Sequence, residues 1–184
     1  MTSYTLTLST MLFIFGACIG SFLNVCVFRI PEKKSIVFPG SFCPICKKGI
    51  PFYCNIPILS YLFLQGRCKY CKTPISVRYP LIEILTGIFP VFLFFKFGLT
   101  PPLLFWFIFI CTLIVISFID FDHQIIPDII SLPGILIFAS SIFFIPEMSL
   151  KDALIGIFVG GGSLYTIAFL YFKLKKNKGW GEET

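Results

Sequence analysis

The segments SFCPICKKGI (residues 41–50) and GRCKYCKTPI (residues 66–75) place two Cys-x-x-Cys pairs in the one hydrophilic stretch of an otherwise apolar chain. The four cysteines are Cys43, Cys46, Cys68 and Cys71. Each pair can turn two thiolates towards one ion, and two pairs complete a tetrahedron. Because thiols stay reduced in the cytosol, a zinc ion is the leading interpretation. A redox pair and an unmetallated loop are the alternatives. Four thiolates leave no open position on the metal, so this zinc would stabilise the loop.

The rest of the sequence is a series of apolar segments. Of the 184 residues, 57% are hydrophobic and 13% are charged, and the charged share is about half of that in soluble domains. A membrane span needs about 20 apolar residues, and five segments approach this length. They are Leu6–Phe28, Leu81–Phe95, Pro102–Ile119, Ile129–Ile145 and Ala153–Phe172. The sequence therefore predicts an all-α polytopic membrane protein with about five transmembrane helices and a small zinc-stabilised cytosolic loop domain after the first helix.

This fold predicts three consecutive parts. Residues 1–30 form the first transmembrane helix, residues 31–79 form the cysteine loop domain, and residues 80–184 form the remaining transmembrane core.

The distribution of basic residues predicts the orientation. The loop from Arg29 to Arg78 holds nine Lys and Arg residues and one acid, and neither Lys nor Arg precedes the first span. Basic loops stay on the cytoplasmic side, so the N-terminus is expected outside and the cysteine loop in the cytosol. Residues 120–128 and the basic tail 173–178 then also face the cytosol. The net charge of +6 follows from this bias. Membrane lipids are the expected partners of the basic residues, and the positive charge does not require a nucleic-acid partner.

Three aspartates lie at the predicted cytosolic edge of the membrane. Asp120 ends an apolar run, Asp122 follows it, and Asp128 comes after Pro127. On a helix, Asp120 and Asp122 would point about 200° apart, so they cannot face one site. Position alone favours interfacial anchors and helix caps over catalysis. Aspartic proteolysis needs two carboxylates that share a proton, so a single aspartate is half of that mechanism.

Four motifs together resemble a known family. They are GSFLNVCVFRIP (residues 20–31), the paired cysteines, RYPLIE (residues 78–83) and FIDFDHQIIPD (residues 118–128), the last followed by SLPG. The chain resembles the bacterial prepilin peptidases, also called type IV leader peptidases.

The resemblance implies a membrane aspartic peptidase of the bacterial cytoplasmic (inner) membrane. Such enzymes cleave the leader of type IV prepilins or pseudopilins and then methylate the new N-terminus with S-adenosylmethionine. The resemblance assigns the first catalytic aspartate to Asp120, seven residues before Pro127, and associates Gly66 with methyl transfer.

The end of the sequence departs from the family pattern. A second catalytic aspartate is expected in a G-x-G-D motif, but the corresponding residues read GWGEET (residues 179–184). Glu183 and Thr184 stand where Gly and Asp are expected, so no second catalytic Asp is assigned. We therefore expect a truncated chain with little leader cleavage, unless Glu182 or Glu183 substitutes. The alternatives are an enzyme that only transfers methyl groups and a non-enzymatic, zinc-containing membrane remnant.

Overall fold

A computed structural model describes residues 3–145 and 149–178. Within these ranges the chain forms helices joined by turns, together with two isolated β-bridges. The helices are α1 (Ser3–Arg29), α2 (Leu59–Phe63), α3 (Arg78–Phe97), α4 (Pro101–His123), α5 (Asp128–Ala139), α6 (Ser141–Phe144), α7 (Leu150–Gly156) and α8 (Gly162–Lys178).

Four helical stretches are long and apolar enough to cross a membrane. They are Ser3–Arg29, Arg78–Phe97, Pro101–His123 and Leu150–Tyr171. The last of these runs through a π-helical turn, Ile157–Gly161, that joins α7 to α8. The predicted all-α membrane fold is therefore confirmed. The expected segment Ile129–Ile145 forms two shorter helices, α5 and α6, and α5 continues through Pro133.

Two glycines allow α1 to lie directly against α3. A Cβ atom at Gly16 would fall 2.1 Å from the carbonyl oxygen of Thr86, and one at Gly20 would fall 2.0 Å from its hydroxyl oxygen. Thr86 is fully buried, and its hydroxyl donates to the carbonyl of Ile82 at 2.8 Å. The Gly-x-x-x-Gly spacing, which lets helix backbones approach closely, is therefore used within the chain.

Helix α4 completes the core of the first compact unit, Met1–Phe138. Ile119 in its last turns and Ile82 of α3 are both fully buried. Phe109 of α4 meets Phe138 of α5 edge-on, with 4.9 Å between the ring centroids. The burial of Ile119 anchors the last turns of α4, where the predicted catalytic aspartate lies.

The end of α1 holds the loop that follows it. The buried Asn24 amide donates to the carbonyl of Tyr79 at 3.1 Å. Arg29 is only 7% exposed, and its guanidinium donates to the carbonyls of Ser35 and Gly40 at 2.9 and 3.1 Å. A buried charge needs such partners, so this part of the GSFLNVCVFRIP motif ties the loop to the membrane helix.

The chain from Ala139 onwards belongs to a second compact unit. It contains α6, α7 and α8 among the described residues. Cβ atoms at Gly156 and Gly160 would meet nothing within 4 Å, so this second Gly-x-x-x-Gly spacing makes no close contact within the described part of its own unit. The GWGEET end (residues 179–184), including the expected substitutes Glu182 and Glu183, lies outside the described residues.

Candidate active site and metal centre

The two cysteine pairs adopt the same local turn. In the first, the N–H of Lys47 donates to the carbonyl of Cys43 at 2.9 Å, and in the second the N–H of Lys72 donates to the carbonyl of Cys68 at 3.1 Å. Lys47 and Lys72 share a left-handed backbone conformation, with φ of 59° in each. The short β-bridges Phe42–Gly49 and Arg67–Pro74 close the two turns. The loop is thus built from two similar turns.

These turns bring the four thiols together. The sulfur atoms of Cys43, Cys46, Cys68 and Cys71 all lie within 4.8 Å of one another, and those of Cys43 and Cys71 are 3.7 Å apart. A zinc ion with Zn–S bonds of 2.3 Å has about 3.8 Å between its sulfur ligands. The sulfur spacing therefore fits a tetrahedral zinc site, as predicted from the sequence.

Local hydrogen bonds favour thiolates at two of these positions. The hydroxyl and backbone N–H of Thr73 lower the pKa of Cys71 to about 6, and the hydroxyl lies 3.2 Å from the sulfur. The backbone N–H of Cys46 lowers the pKa of Cys43. Zinc binds cysteine as the thiolate, so these donors prepare part of the ligand set.

Asp120 lies in the last turn of α4. Its neighbour Ile119 is fully buried, whereas Asp120 is exposed and its carboxylate forms no ion pair with any described residue. The helix ends when Gln124, with a left-handed φ of 54°, donates its N–H to the carbonyl of Asp120 at 2.8 Å. The end of the helix therefore presents the Asp120 side chain at the surface of the unit.

Asp122 forms an ion pair with α3. Its carboxylate pairs with the guanidinium of Arg78, and both side chains are about 30% exposed. The same guanidinium lies over the rings of Phe118 and Phe121, 5.4 and 5.7 Å from their centroids. This contact joins the RYPLIE motif at the start of α3 to the FIDFD sequence at the end of α4. Of the two aspartates at the end of α4, Asp120 is therefore the one without an ion pair among the described residues.

Asp128 begins α5 and is its only acid in the first turn. A carboxylate there interacts favourably with the positive end of the helix dipole. The predicted role as a helix N-terminal acid agrees with this position.

Gly66 lies between α2 and the second cysteine pair and has a left-handed φ of 65°. A Cβ atom at this position would fall 2.9 Å from the ring of Tyr61. Both the backbone conformation and the aromatic neighbour therefore require glycine.

Comparisons with known proteins give the same assignment for both halves. Residues 14–97 match the model of the bacterial peptidase A24 N-terminal domain, and residues 107–182 match that of the type IV leader peptidase family. A prepilin leader peptidase/N-methyltransferase of Klebsiella pneumoniae is 35% identical over 97% of this chain and 82% of its own length. The chain belongs to the type IV leader peptidase family.

Two further leader peptidases show how much of the family's length is covered. The prepilin leader peptidase/N-methyltransferase of Myxococcus xanthus is 41% identical over 94% of this chain and 49% of its own length. That of Pseudomonas putida is 35% identical over 98% of this chain and 70% of its own length. No solved structure matches the chain.

The partners of the residues in these leader-peptidase motifs do not follow from the sequence. The pairing of Arg78 with Asp122 joins residues 44 positions apart, and Glu83 accepts the N–H of Ile58 at 2.7 Å. Arg78 and Glu83 both belong to RYPLIE, and Glu83 is an acid inside a predicted membrane span. That position is a signal of a specific partner.

We expect the contact between Arg78 and Asp122 to contribute about 1 kcal/mol to stability, as half-buried ion pairs with an aromatic neighbour do. Arg78→Asp and Asp122→Arg should each destabilise the protein in detergent, and the double exchange should recover most of the loss. The measurement is a double-mutant cycle on the free energy of unfolding.

Asp128 provides the control for this cycle, because it lies at the same edge and forms no ion pair among the described residues. Asp128→Arg should not rescue Arg78→Asp. Equal rescue by both arginines would show that the contact with Asp122 is not specific.

Proposed function

We propose that this chain is a multi-pass enzyme of the bacterial cytoplasmic membrane that cleaves the leader of type IV prepilins or pseudopilins and methylates the new N-terminus. The observation that carries the proposal is the exposed Asp120, presented at the end of α4 within a chain of the leader peptidase family. The names of the relatives, prepilin leader peptidase/N-methyltransferase, combine both activities.

Asp120 supplies one of the two carboxylates that an aspartic mechanism needs. One carboxylate takes a proton from the attacking water, while the other, protonated, polarises the peptide carbonyl. Asp120 is the one catalytic carboxylate that we assign among the described residues, because Asp122 is bound to Arg78.

The cysteine loop domain, residues 31–79, is proposed to hold one structural zinc ion through its four clustered thiols. The described part of this domain contains one five-residue helix, a single 3-10 turn and two isolated bridges. So little regular structure needs a further source of stability, which a metal can supply.

The test of the proposed function is a mass measurement. The chain is co-expressed with a prepilin in cells that lack their own leader peptidase, and the intact pilin is weighed. Loss of the leader supports peptidase activity, and a further gain of one methyl group supports methyl transfer. An unchanged prepilin contradicts both activities.

Methyl transfer without cleavage is the second candidate, because the cysteine loop and Gly66 are both present and folded among the described residues. Under this alternative, a pilin peptide that already lacks its leader would accept a labelled methyl group from S-adenosylmethionine. Absence of label on that peptide excludes the methyl-transferring alternative and leaves the non-enzymatic one.

The orientation also yields an expected result. A periplasmic phosphatase reporter fused after Lys48 should be inactive, because the basic cysteine loop stays in the cytosol. The same reporter fused after Gly98, in the short turn between α3 and α4, should be active. The reversed pattern of activities would contradict an outside N-terminus.

A further inference from the structure

Helix α2, in the middle of the cysteine loop domain, exposes an apolar face. Leu59, Leu62 and Phe63 lie at i, i+3 and i+4, so they share one face of the helix. Their exposed fractions are 50%, 64% and 84%, and these three side chains are called the α2 face below. The apolar face of a helix normally packs against other apolar groups. The position of α2 in the fold indicates which groups these are.

The opposite side of α2 packs inward. Ser60, Tyr61 and Leu64 are half-buried and line a cavity of about 420 Å³ between the cysteine loop and the ends of α1 and α3. The Tyr61 ring also lies against Gly66, where an added Cβ atom would fall 2.9 Å from it. These contacts fix the rotation of the helix about its axis, so the α2 face points away from the cavity.

The start of α2 is bound to a residue inside a membrane helix. Glu83 of α3 accepts the N–H of Ile58, the residue before α2, at 2.7 Å, and the Ser21 side chain of α1 bonds to the same carboxylate. Ile58 has a left-handed φ of 62°, which is strained for a β-branched residue. Such strain persists only where the surroundings hold the residue, so this contact fixes the position of α2.

These partners place the start of α2 below the charged ends of the membrane helices. Along α3, Glu83 lies five residues after Arg78, a rise of about 7.5 Å into the membrane. Along α1, Ser21 lies eight residues before Arg29, a rise of about 12 Å in the same direction. Arginines at helix ends lie at the headgroup level. The start of α2 therefore lies near the boundary between headgroups and acyl chains.

The surroundings of α2 match a membrane surface. The 3-10 turn Phe52–Cys54 lies beside α2, and the Phe52 side chain is exposed as well. Lys69 lies over the ring of Tyr53, 4.6 Å from its centroid, and donates to its hydroxyl at 2.8 Å. Residues 29–78 carry nine Lys and Arg residues and one acid. Exposed aromatic and basic side chains together are typical of surfaces that bind anionic lipid.

We propose that α2 is an interfacial membrane helix, and that the α2 face lies among the acyl chains of the leaflet next to the cysteine loop. Glu83 sets the depth of the helix through the N–H of Ile58. Lipid is the occupant of the α2 face, because this face is apolar, adjoins basic residues and is held at the headgroup–acyl boundary by a membrane helix. Part of the loop domain, residues 31–79, is then embedded in the membrane surface.

The first test is the quenching of tryptophan fluorescence by brominated lipid. Trp106 and Trp180, the two tryptophans of the chain, are replaced by phenylalanine. Phe63→Trp is then placed in liposomes of phosphatidylglycerol and phosphatidylcholine with bromine on the upper acyl chain. Tyr70→Trp is the matched control, because Tyr70 is exposed on the second cysteine turn and lies against Lys48 of the first. Phe63→Trp should be quenched several-fold more than Tyr70→Trp, and equal quenching overturns the proposal.

Phe92→Trp calibrates the depth. Phe92 is exposed on α3, about 21 Å along the helix from Arg78, near the centre of a bilayer. Bromine at the end of the acyl chain should quench Phe92→Trp most, whereas bromine near the headgroup should quench Phe63→Trp most, because an interfacial helix stays at the boundary. Zinc content verifies that the loop is folded in each variant. The same depth profile for both reporters overturns the interfacial position of α2.

The second test removes the anchor from the Phe63→Trp reporter. Glu83→Ala deletes the acceptor of the Ile58 N–H, so the reporter should lose most of its quenching by bromine near the headgroup. Ser21→Ala is the control, because it leaves the bond between Ile58 and Glu83 in place, and it should keep the quenching. Equal quenching in the two variants overturns the role of Glu83 as the anchor.

Other occupants of the α2 face give different results with the same reporter. If a second copy of the chain covers this face, quenching of Phe63→Trp by lipid should fall as the protein density in the liposomes rises. If a pilin covers it, adding a purified prepilin should lower the quenching. Either fall overturns lipid as the occupant, and constant quenching under both conditions supports it.

Discussion

Replacing both Cys43 and Cys46 by serine should remove the metal completely, from one zinc ion per purified chain to none. The four sulfur atoms lie within 4.8 Å of one another, so the double change removes half of a closed ligand set. Structural zinc in small domains contributes about 10–16 kcal/mol of binding free energy, and two thiolates cannot retain it. Elemental analysis of the purified protein measures the zinc content directly.

The loss of zinc should also loosen residues 31–79. Their regular structure among the described residues is slight, so protease cleavage within this range should become faster while the membrane helices stay intact. The expected comparison is limited proteolysis of the double variant against the unmodified protein.

Cys54 offers a matched control in the same loop. It is a fifth loop cysteine outside the sulfur cluster, so Cys54→Ser should keep one zinc per chain. Full zinc retention by the Cys43→Ser/Cys46→Ser variant, or its loss in Cys54→Ser, would overturn the ligand assignment.

Asp120→Asn should abolish detectable leader cleavage. Asparagine keeps the size of the side chain but cannot accept or donate the catalytic proton, and losing one acid–base group typically costs about 10²–10⁴-fold in rate. The measurement is the shift of a co-expressed prepilin on a gel as its leader is removed.

The assay should include a longer form of the chain, because this one spans 49% to 82% of the length of the three relatives compared above. The chain alone and the chain continued in frame into the C-terminal part of the Klebsiella pneumoniae relative are tested side by side. In whichever form processes the prepilin, Asp120→Asn should remove the activity.

Asp122→Asn is the control and should be milder. Its carboxylate pairs with Arg78, so its loss weakens a contact that positions the end of α4 and leaves Asp120 in place. Greater loss of cleavage from Asp122→Asn than from Asp120→Asn would mean that the two aspartates have the opposite roles.

The sequence by itself determined the membrane class and predicted the four cysteine ligands, and its resemblance to the leader peptidases selected Asp120 as the candidate aspartate. Apolar runs, the Cys-x-x-Cys spacing and the helical separation of Asp120 from Asp122 are local patterns, and local backbone geometry is enough to interpret them. The sulfur cluster and the helical course of α4 through both aspartates agree with those interpretations.

The tertiary structure decided which distant residues meet. Nothing in the local pattern pairs Arg78 with Asp122, places Glu83 on the N–H of Ile58, or sets Gly16 and Gly20 against Thr86. Gly-x-x-x-Gly spacing predicts a close helix neighbour without naming it, because the neighbour depends on how whole helices fit together. The cavity of about 420 Å³ between the cysteine loop and the ends of α1 and α3 has the same origin. Its walls come from three separate segments, and packing decides how close these segments lie to one another.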